Sequence, residues 1–221
     1  MIDDDVAGAA RAHQVLLQRL DPIDSTGLMD EHIARPSRLP DWTVGHVLAH
    51  LTLHARSFAR LFTEAEEGRV GRQYPGGAGQ RIMEIERDAG LTALEHIQRL
   101  REAIYRLEGT WTKGRDAWLG RAETTSGALV SIADLPLRRW REVEVHMGDL
   151  GIQELGFNGP ESWSDGYVRR DVRVWTMQWS ARGSMGMNTL PSDVAQLEDR
   201  WRLAWLLGRH QIPGVMAAGL L

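Results

Sequence analysis

The sequence contains no cysteine. This absence excludes disulfides, iron–sulfur clusters, cysteine-ligated zinc and a cysteine nucleophile. Any metal that the protein binds must therefore be held by histidine and carboxylate side chains, and any thiol in its chemistry must come from another molecule. Tyrosine and phenylalanine are also scarce, at three each, whereas tryptophan occurs nine times. We expect most of these tryptophans to fill the core.

The chain also lacks a large excess of one charge sign and any long apolar run. The chain has 26 Lys and Arg against 30 Asp and Glu, a net charge of -4, and its basic residues form no phosphate-binding patch. No stretch approaches the roughly 18 consecutive apolar residues of a membrane-spanning helix. The first residues are acidic, unlike those of a secretory signal. We therefore expect a cytoplasmic protein, monomer or homodimer, that binds neither nucleic acid nor a membrane.

Four segments have the apolar periodicity of amphipathic helices. They cover residues 3–20, 43–68, 91–108 and 132–156. Thr43 is a candidate N-cap of the second helix, with Asp41 as the alternative. The glycine-rich segment 69–80 lacks the Gly-Lys-Ser/Thr ending of a phosphate-binding loop, so we interpret it as a turn.

The last third of the chain is less regular. Residues 167–183 fit either a helix or paired strands, and residues 194–210 fit a helix. We therefore predict a mainly α fold, with a four-helix bundle over residues 1–155. A short α or α+β region, residues 156–221, is expected to pack on or near the functional site.

Two of the predicted helices carry candidate metal ligands. His46, His50 and His54 stand four residues apart in the second helix, and a step of about 400° places them along one inclined stripe. Glu142 and His146 repeat this spacing in the fourth helix, as in metal-binding bundles. One histidine from the second helix would give three ligands and leave an open position, which is typical of catalytic zinc.

Spacing alone also fits an ordinary polar helix surface. The His-Glu-x-x-His motif of metalloproteases is absent. Glu144 competes with Glu142, but it lies about 200° around the helix from His146 and should point away.

Two stretches add a resemblance to a known family. LPDWTVGHVLAHLTLHA and RRWREVEVHMGDLG resemble the two signatures of the mycothiol-dependent maleylpyruvate isomerase family, within the DinB-like superfamily. The resemblance implies a DinB-like four-helix bundle. It also implies that His50, Glu142 and His146 bind Zn²⁺ or another divalent metal, and that mycothiol is the thiol cosubstrate.

The same resemblance implies roles for three further residues. Asp149 is expected to be a pocket residue that orients a metal ligand or the thiol. Arg209, in the stretch RLAWLLGRH, and Arg81 match substrate-facing arginines, and a guanidinium binds a carboxylate with two parallel hydrogen bonds. A metal deprotonates a coordinating thiol and holds it as a nucleophile.

Three functions follow as expectations. The first is mycothiol-dependent cis–trans isomerisation of a maleylpyruvate-like dicarboxylate. The second is an S-transferase that conjugates mycothiol to a small electrophile, which a C-terminal region shorter than that of the family's isomerases favours. The third is a metal-binding bundle without catalysis, which a fourth protein ligand to the metal would favour.

Simpler roles suit the remaining candidates. We interpret His46 and His54 as supporting or surface groups and His13 as a core residue. Trp140 is expected in the core. The Arg138-Arg139 pair is interpreted as part of a solvated face, from which one arginine could meet an anionic substrate.

Overall fold

The computed structural model describes residues 2–21, 26–112, 115–183 and 188–218. The α-helices in these ranges are α1 (Ile2–Leu20), α2 (Asp30–Ile33), α3 (Val44–Glu66), α4 (Gly77–Ala89), α5 (Ala93–Trp111), α6 (Leu135–Leu150), α7 (Asp165–Ala181), α8 (Ser192–Ala195) and α9 (Asp199–Leu206). The strands are β1 (Gly71–Arg72), β2 (Arg121–Glu123) and β3 (Leu129–Ser131). None of these helices combines the length and the apolar character that crossing a bilayer requires.

Four long helices form a bundle. α1 packs against α5 and α6, and α3 packs against the same two helices. Their apolar stripes meet in a core that excludes water, and this burial is the main force that holds the bundle together. The predicted mainly α fold with a four-helix bundle is confirmed. Fully buried members of this core include Leu16, Leu48, Leu51, Leu100, Leu107 and Val143.

The start of α3 is fixed by a capping box. The hydroxyl of Thr43 accepts a hydrogen bond from the backbone N–H of His46 at 3.4 Å, and the Nδ1 of His46 accepts one from the backbone N–H of Thr43 at 3.2 Å. This reciprocal arrangement satisfies backbone donors that the first helical turn leaves free. The predicted N-cap at Thr43 is confirmed, and His46 serves the cap as a supporting group.

Two sequence-based helix assignments were wrong. The fourth helix ends at Leu150, not at Gly156, because Gly151 adopts a left-handed backbone with φ of 69° and stops the helix one turn after His146. The segment 69–80 is not only a turn, because α4 begins inside it at Gly77. Gly76, Gly77 and Gly79 at the start of α4 concealed the helix, since glycine is a weak helix former.

The described residues of the C-terminal region form helices joined by loops, and within the predicted helix 194–210 only the end of α8 and the whole of α9 are helical. Residues 167–183, for which paired strands were one alternative, lie mainly in α7, which contacts α6 and α9. The short strands lie instead between α3 and α6, where β2 pairs with β1 in parallel and with β3 in antiparallel orientation. A division into domains 1–155 and 156–221 stays a prediction.

Candidate metal centre

Three polar side chains from two bundle helices converge beside the core. The Nε2 of His50, on α3, lies 3.0 Å from the Oε2 of Glu142, on α6. The Nε2 of His146, one turn further along α6, lies 3.4 Å from the same oxygen. One ligand atom from each residue falls within 4.8 Å of the other two. The structure thus brings together the three residues predicted as metal ligands.

The spacing of these atoms fits a divalent metal. In tetrahedral zinc sites, bonds of about 2.1 Å place neighbouring ligand atoms about 3.4 Å apart. Two imidazoles and one carboxylate are a donor set that zinc and several other divalent ions accept. Glu142 and His146 are partly exposed on one side, which leaves room for a further ligand.

The protonation states of the three residues are compatible with metal binding. Burial lowers the pKa of His50 to about 4, so its imidazole is neutral and able to coordinate. Burial also acts to lower the pKa of His146, but the carboxylates of Asp149 and Glu142 outweigh it and raise this pKa to about 9. Burial would raise the pKa of Glu142, yet the neighbouring histidines hold it well below its usual range. A metal would therefore take the place of the His146 proton.

Asp149 and Arg209 stand behind His146. The Oδ2 of Asp149 lies 2.9 Å from the Nδ1 of His146. Arg209 donates two hydrogen bonds to the Asp149 carboxylate, at 3.2 and 2.9 Å, and one to the carbonyl of Leu207 at 2.9 Å. A carboxylate at the outer nitrogen of a metal-binding histidine fixes the orientation of the ring. The chain Arg209–Asp149–His146 is thus suited to hold the ligand in place.

A cavity of about 550 Å³ opens onto the three residues. Arg81, on α4, lines it with its Nη2 3.3 Å from the Nδ1 of His50 and its guanidinium 5.9 Å from the ring centre of Trp42. Arg209 is not among the lining residues and borders a separate cavity instead. Its expected contact with substrate stays a prediction. The other lining residues are His54, Phe58, Gln73, Tyr74, Thr124, Thr125, Ser126, Arg138, Arg141, Trp175 and Gln178.

Residues 25–151, more than half of the chain, match the family model of the mycothiol maleylpyruvate isomerase N-terminal domain. The chain belongs to this family. The resemblance inferred from the two sequence stretches is therefore confirmed for the mycothiol maleylpyruvate isomerase family. No curated protein matches the chain at a significant level.

Two solved structures share the fold of this mycothiol maleylpyruvate isomerase family member. One is a mycothiol-dependent maleylpyruvate isomerase, with a TM-score of 0.76 and 18% identity over 95% of this chain and 90% of that chain. The other is a histidine-to-alanine mutant of mycothiol-dependent maleylpyruvate isomerase, with a TM-score of 0.69 and 20% identity over 83% of this chain and 73% of that chain. At this level of identity the likeness extends to the fold.

A buried polar network lies behind the candidate ligands of this family member. The fully buried Arg139 donates to the Nε2 of His13 at 2.9 Å and to the carbonyl of Leu51 at 3.0 Å. Its Nη1 also lies 3.4 Å from the Nδ1 of His54. The interpretation of Arg139 as a solvated residue was wrong, since α6 turns it toward the core. The Nδ1 of His13 lies 2.8 Å from a carboxylate oxygen of Glu108, so its predicted core role is confirmed.

The predictions for Glu144 and Trp140, both on α6, are confirmed. Glu144 points away from the cavity and accepts hydrogen bonds from the indole of Trp140 at 3.0 Å and from the backbone of Ser164 at 2.8 Å. Trp140 is buried, as predicted. His54 lines the cavity, with its Nε2 3.9 Å from the Oε1 of Glu142. It is therefore placed as a supporting group and lies outside the set of three closely spaced ligand atoms.

Proposed function

We propose that the protein binds one divalent metal, zinc, through His50, Glu142 and His146, and uses mycothiol to isomerise a maleylpyruvate-like dicarboxylate. The observation that carries this proposal is the meeting of three suitably spaced ligand atoms at the wall of a cavity. When bound, the metal supplies the positive charge that converts the incoming thiol into a positioned thiolate. Membership of the mycothiol maleylpyruvate isomerase family supports the choice of thiol.

The reaction itself balances without a further reagent. The mycothiol sulfur forms a bond to one carbon of the cis double bond. The electron pair of that double bond moves toward the oxygen of the conjugated carbonyl group. The remaining single bond rotates. Elimination then breaks the carbon–sulfur bond, returns the trans double bond and regenerates the thiol.

The protein's own residues would bind and orient the reactants. Asp149 would keep the His146 ring in its binding orientation, and Arg209 would in turn hold Asp149. These contacts favour a positioning role for Arg209 over direct contact with the substrate. Arg81 lies on the cavity beside His50, where its guanidinium can bind a carboxylate of the substrate.

The metal is tested first. We expect about one equivalent of zinc in the purified protein by plasma mass spectrometry, and loss of that zinc in His50→Ala, Glu142→Ala and His146→Ala. His210→Ala, which removes a histidine distant from these ligands in sequence, is the matched control and should retain zinc. A wild-type protein that stays empty after incubation with zinc would overturn the proposal.

The reaction is tested on the zinc-loaded protein with mycothiol and maleylpyruvate. Isomerisation should change the ultraviolet absorbance of the substrate, and mass spectrometry should find the thiol unchanged at the end. A stable thiol adduct would instead identify the S-transferase alternative. Bound zinc with neither product would leave the non-catalytic alternative.

A further inference from the structure

Most arginines next to the candidate metal centre have fixed partners. Arg141 donates two hydrogen bonds to Asp171, at 2.7 and 2.6 Å. Arg209 likewise donates two hydrogen bonds to the carboxylate of Asp149. Arg139 is sealed in the core. The charges of Arg141 and Arg209 are thus already paired with carboxylates, and neither Arg139 nor Arg209 lines the cavity.

Arg138 differs from them. It lies on α6 one turn before Glu142, is half-buried, and lines the cavity that holds all three candidate ligands. Within the part of the chain that the structure describes, its guanidinium makes no hydrogen bond and no ion pair. The hydrogen-bond donors of Arg138 are therefore available to a ligand in the cavity.

The surroundings of Arg138 favour an anion. Burial and the positive charge of Arg141 lower the pKa of Arg138 and outweigh the carboxylates of Asp134 and Glu142, which act to raise it. The charge of Arg138 is therefore incompletely compensated. A carboxylate in the cavity would compensate it, and the planar guanidinium matches a carboxylate in shape and in hydrogen-bond spacing.

A second donor group lies on the same cavity. The Oε1 of Gln73 accepts hydrogen bonds from the hydroxyl of Thr125 at 3.1 Å and from its backbone N–H at 3.3 Å. Because the amide oxygen is occupied, the NH₂ group of Gln73 is the part left to bind a ligand, and it can only donate. Arg138 on α6 and Gln73, directly after β1, therefore supply hydrogen-bond donors from two different elements that line the cavity.

We propose that Arg138 binds a carboxylate of the substrate and makes the protein prefer dianionic over less charged electrophiles. Four residues along a helix correspond to about 6 Å, so a short dicarboxylate held at Arg138 reaches the region beside Glu142. This inference rests on the proposed function for the identity of the electrophile. It adds Arg138 to Arg81 as a second arginine of the cavity that binds a carboxylate of the substrate.

Calorimetric titration of maleate into the zinc-loaded protein tests the inference. Arg138→Gln should raise the dissociation constant of maleate about 10- to 100-fold, as expected for loss of a charge-assisted hydrogen-bonded pair. Arg106→Gln, an exposed substitution on α5, is the control and should leave binding within twofold. Equal maleate affinity in wild type and Arg138→Gln, or no maleate binding by wild type, would overturn the inference.

A change in the ligand separates charge recognition from structural damage. Maleamate has one carboxylate of maleate replaced by an amide. Wild type should bind maleate more tightly than maleamate by a similar factor, and Arg138→Gln should lose most of this discrimination. A variant that binds both ligands more weakly by the same factor would indicate a merely structural role and refute the assignment.

A different experiment tests the proposed function. Maleate binding requires no thiol chemistry, whereas isomerisation requires zinc, mycothiol and turnover of maleylpyruvate. A protein that binds maleate through Arg138 but does not isomerise maleylpyruvate would refute the proposed function and keep this inference. If turnover occurs, Arg138→Gln should raise the KM for maleylpyruvate about tenfold or more with zinc content unchanged.

Discussion

Asp149→Asn should weaken zinc binding while the bundle stays folded. Asp149 is almost fully buried and contacts both the Nδ1 of His146 and the guanidinium of Arg209. Asparagine has nearly the same shape, but it carries no charge, and its NH₂ group cannot accept a hydrogen bond. The substitution therefore removes at least one of the contacts that hold the His146 ring.

The expected size of the effect follows from these contacts. Loss of the partner behind a metal-binding histidine typically lowers metal affinity 10- to 100-fold, which corresponds to about 1.4 to 2.7 kcal/mol. Because the amide oxygen can still accept one hydrogen bond from Arg209, the fold should lose only about 1 kcal/mol.

Zinc affinity is measured by competition with a chelator of known affinity. Asp3→Asn, an exposed substitution at the start of α1, is the matched control and should bind zinc like wild type. Thermal unfolding of the metal-free proteins reports on the fold. A zinc dissociation constant for Asp149→Asn that equals the wild-type value, while Glu142→Ala abolishes binding, would refute the role given to Asp149.

Three further predictions concern stability. In Gly148→Ala the new Cβ lies 2.6 Å from the carbonyl oxygen of Gly159, so thermal denaturation should show a loss of about 1–3 kcal/mol, and an unchanged unfolding free energy would contradict this close approach. Arg141→Met leaves the Asp171 carboxylate buried without its ion pair, which should cost about 3–5 kcal/mol in chemical denaturation; adding Asp171→Leu should restore part of that loss if the reasoning is right. Burial lowers the pKa of His13 from 6.5 to about 4. Only the unfolded chain binds this proton between those pH values, so stability should fall by up to about 3 kcal/mol as the pH drops through the window, and an equally steep fall in His13→Gln would speak against it.

The bundle and its candidate ligands were predictable because they depend on local spacing. The pair Glu142 and His146 is set by one helical turn, and an apolar stripe marks the inward side of each long helix. His50 was harder, since three histidines share the spacing on α3. The family resemblance singled it out, and the structure places it within reach of the other two.

The cavity was not predictable in the same way. Arg138 and Arg139 are neighbours in sequence and both were interpreted as solvated, yet one faces the cavity and the other is fully buried. A rotation of about 100° on α6 separates them, and only the packing of neighbouring elements decides which side is core. Gln73, Thr125 and Trp175 come together from distant parts of the chain, and no local pattern records such contacts.

The two walls of the cavity differ in how freely they can vary. The candidate ligands project from α3 and α6, whose other faces form the core, so their positions are tied to the stability of the whole bundle. The opposite wall is supplied by the ends of short strands, the turn at residues 124–126 and the side of α7. Substitutions in the strand ends and the turn cost little stability, whereas α7 also packs against α9. Descendants of this chain can therefore reshape the cavity through the strand ends and the turn, while Arg138 and the candidate ligands on α3 and α6 are inherited unchanged.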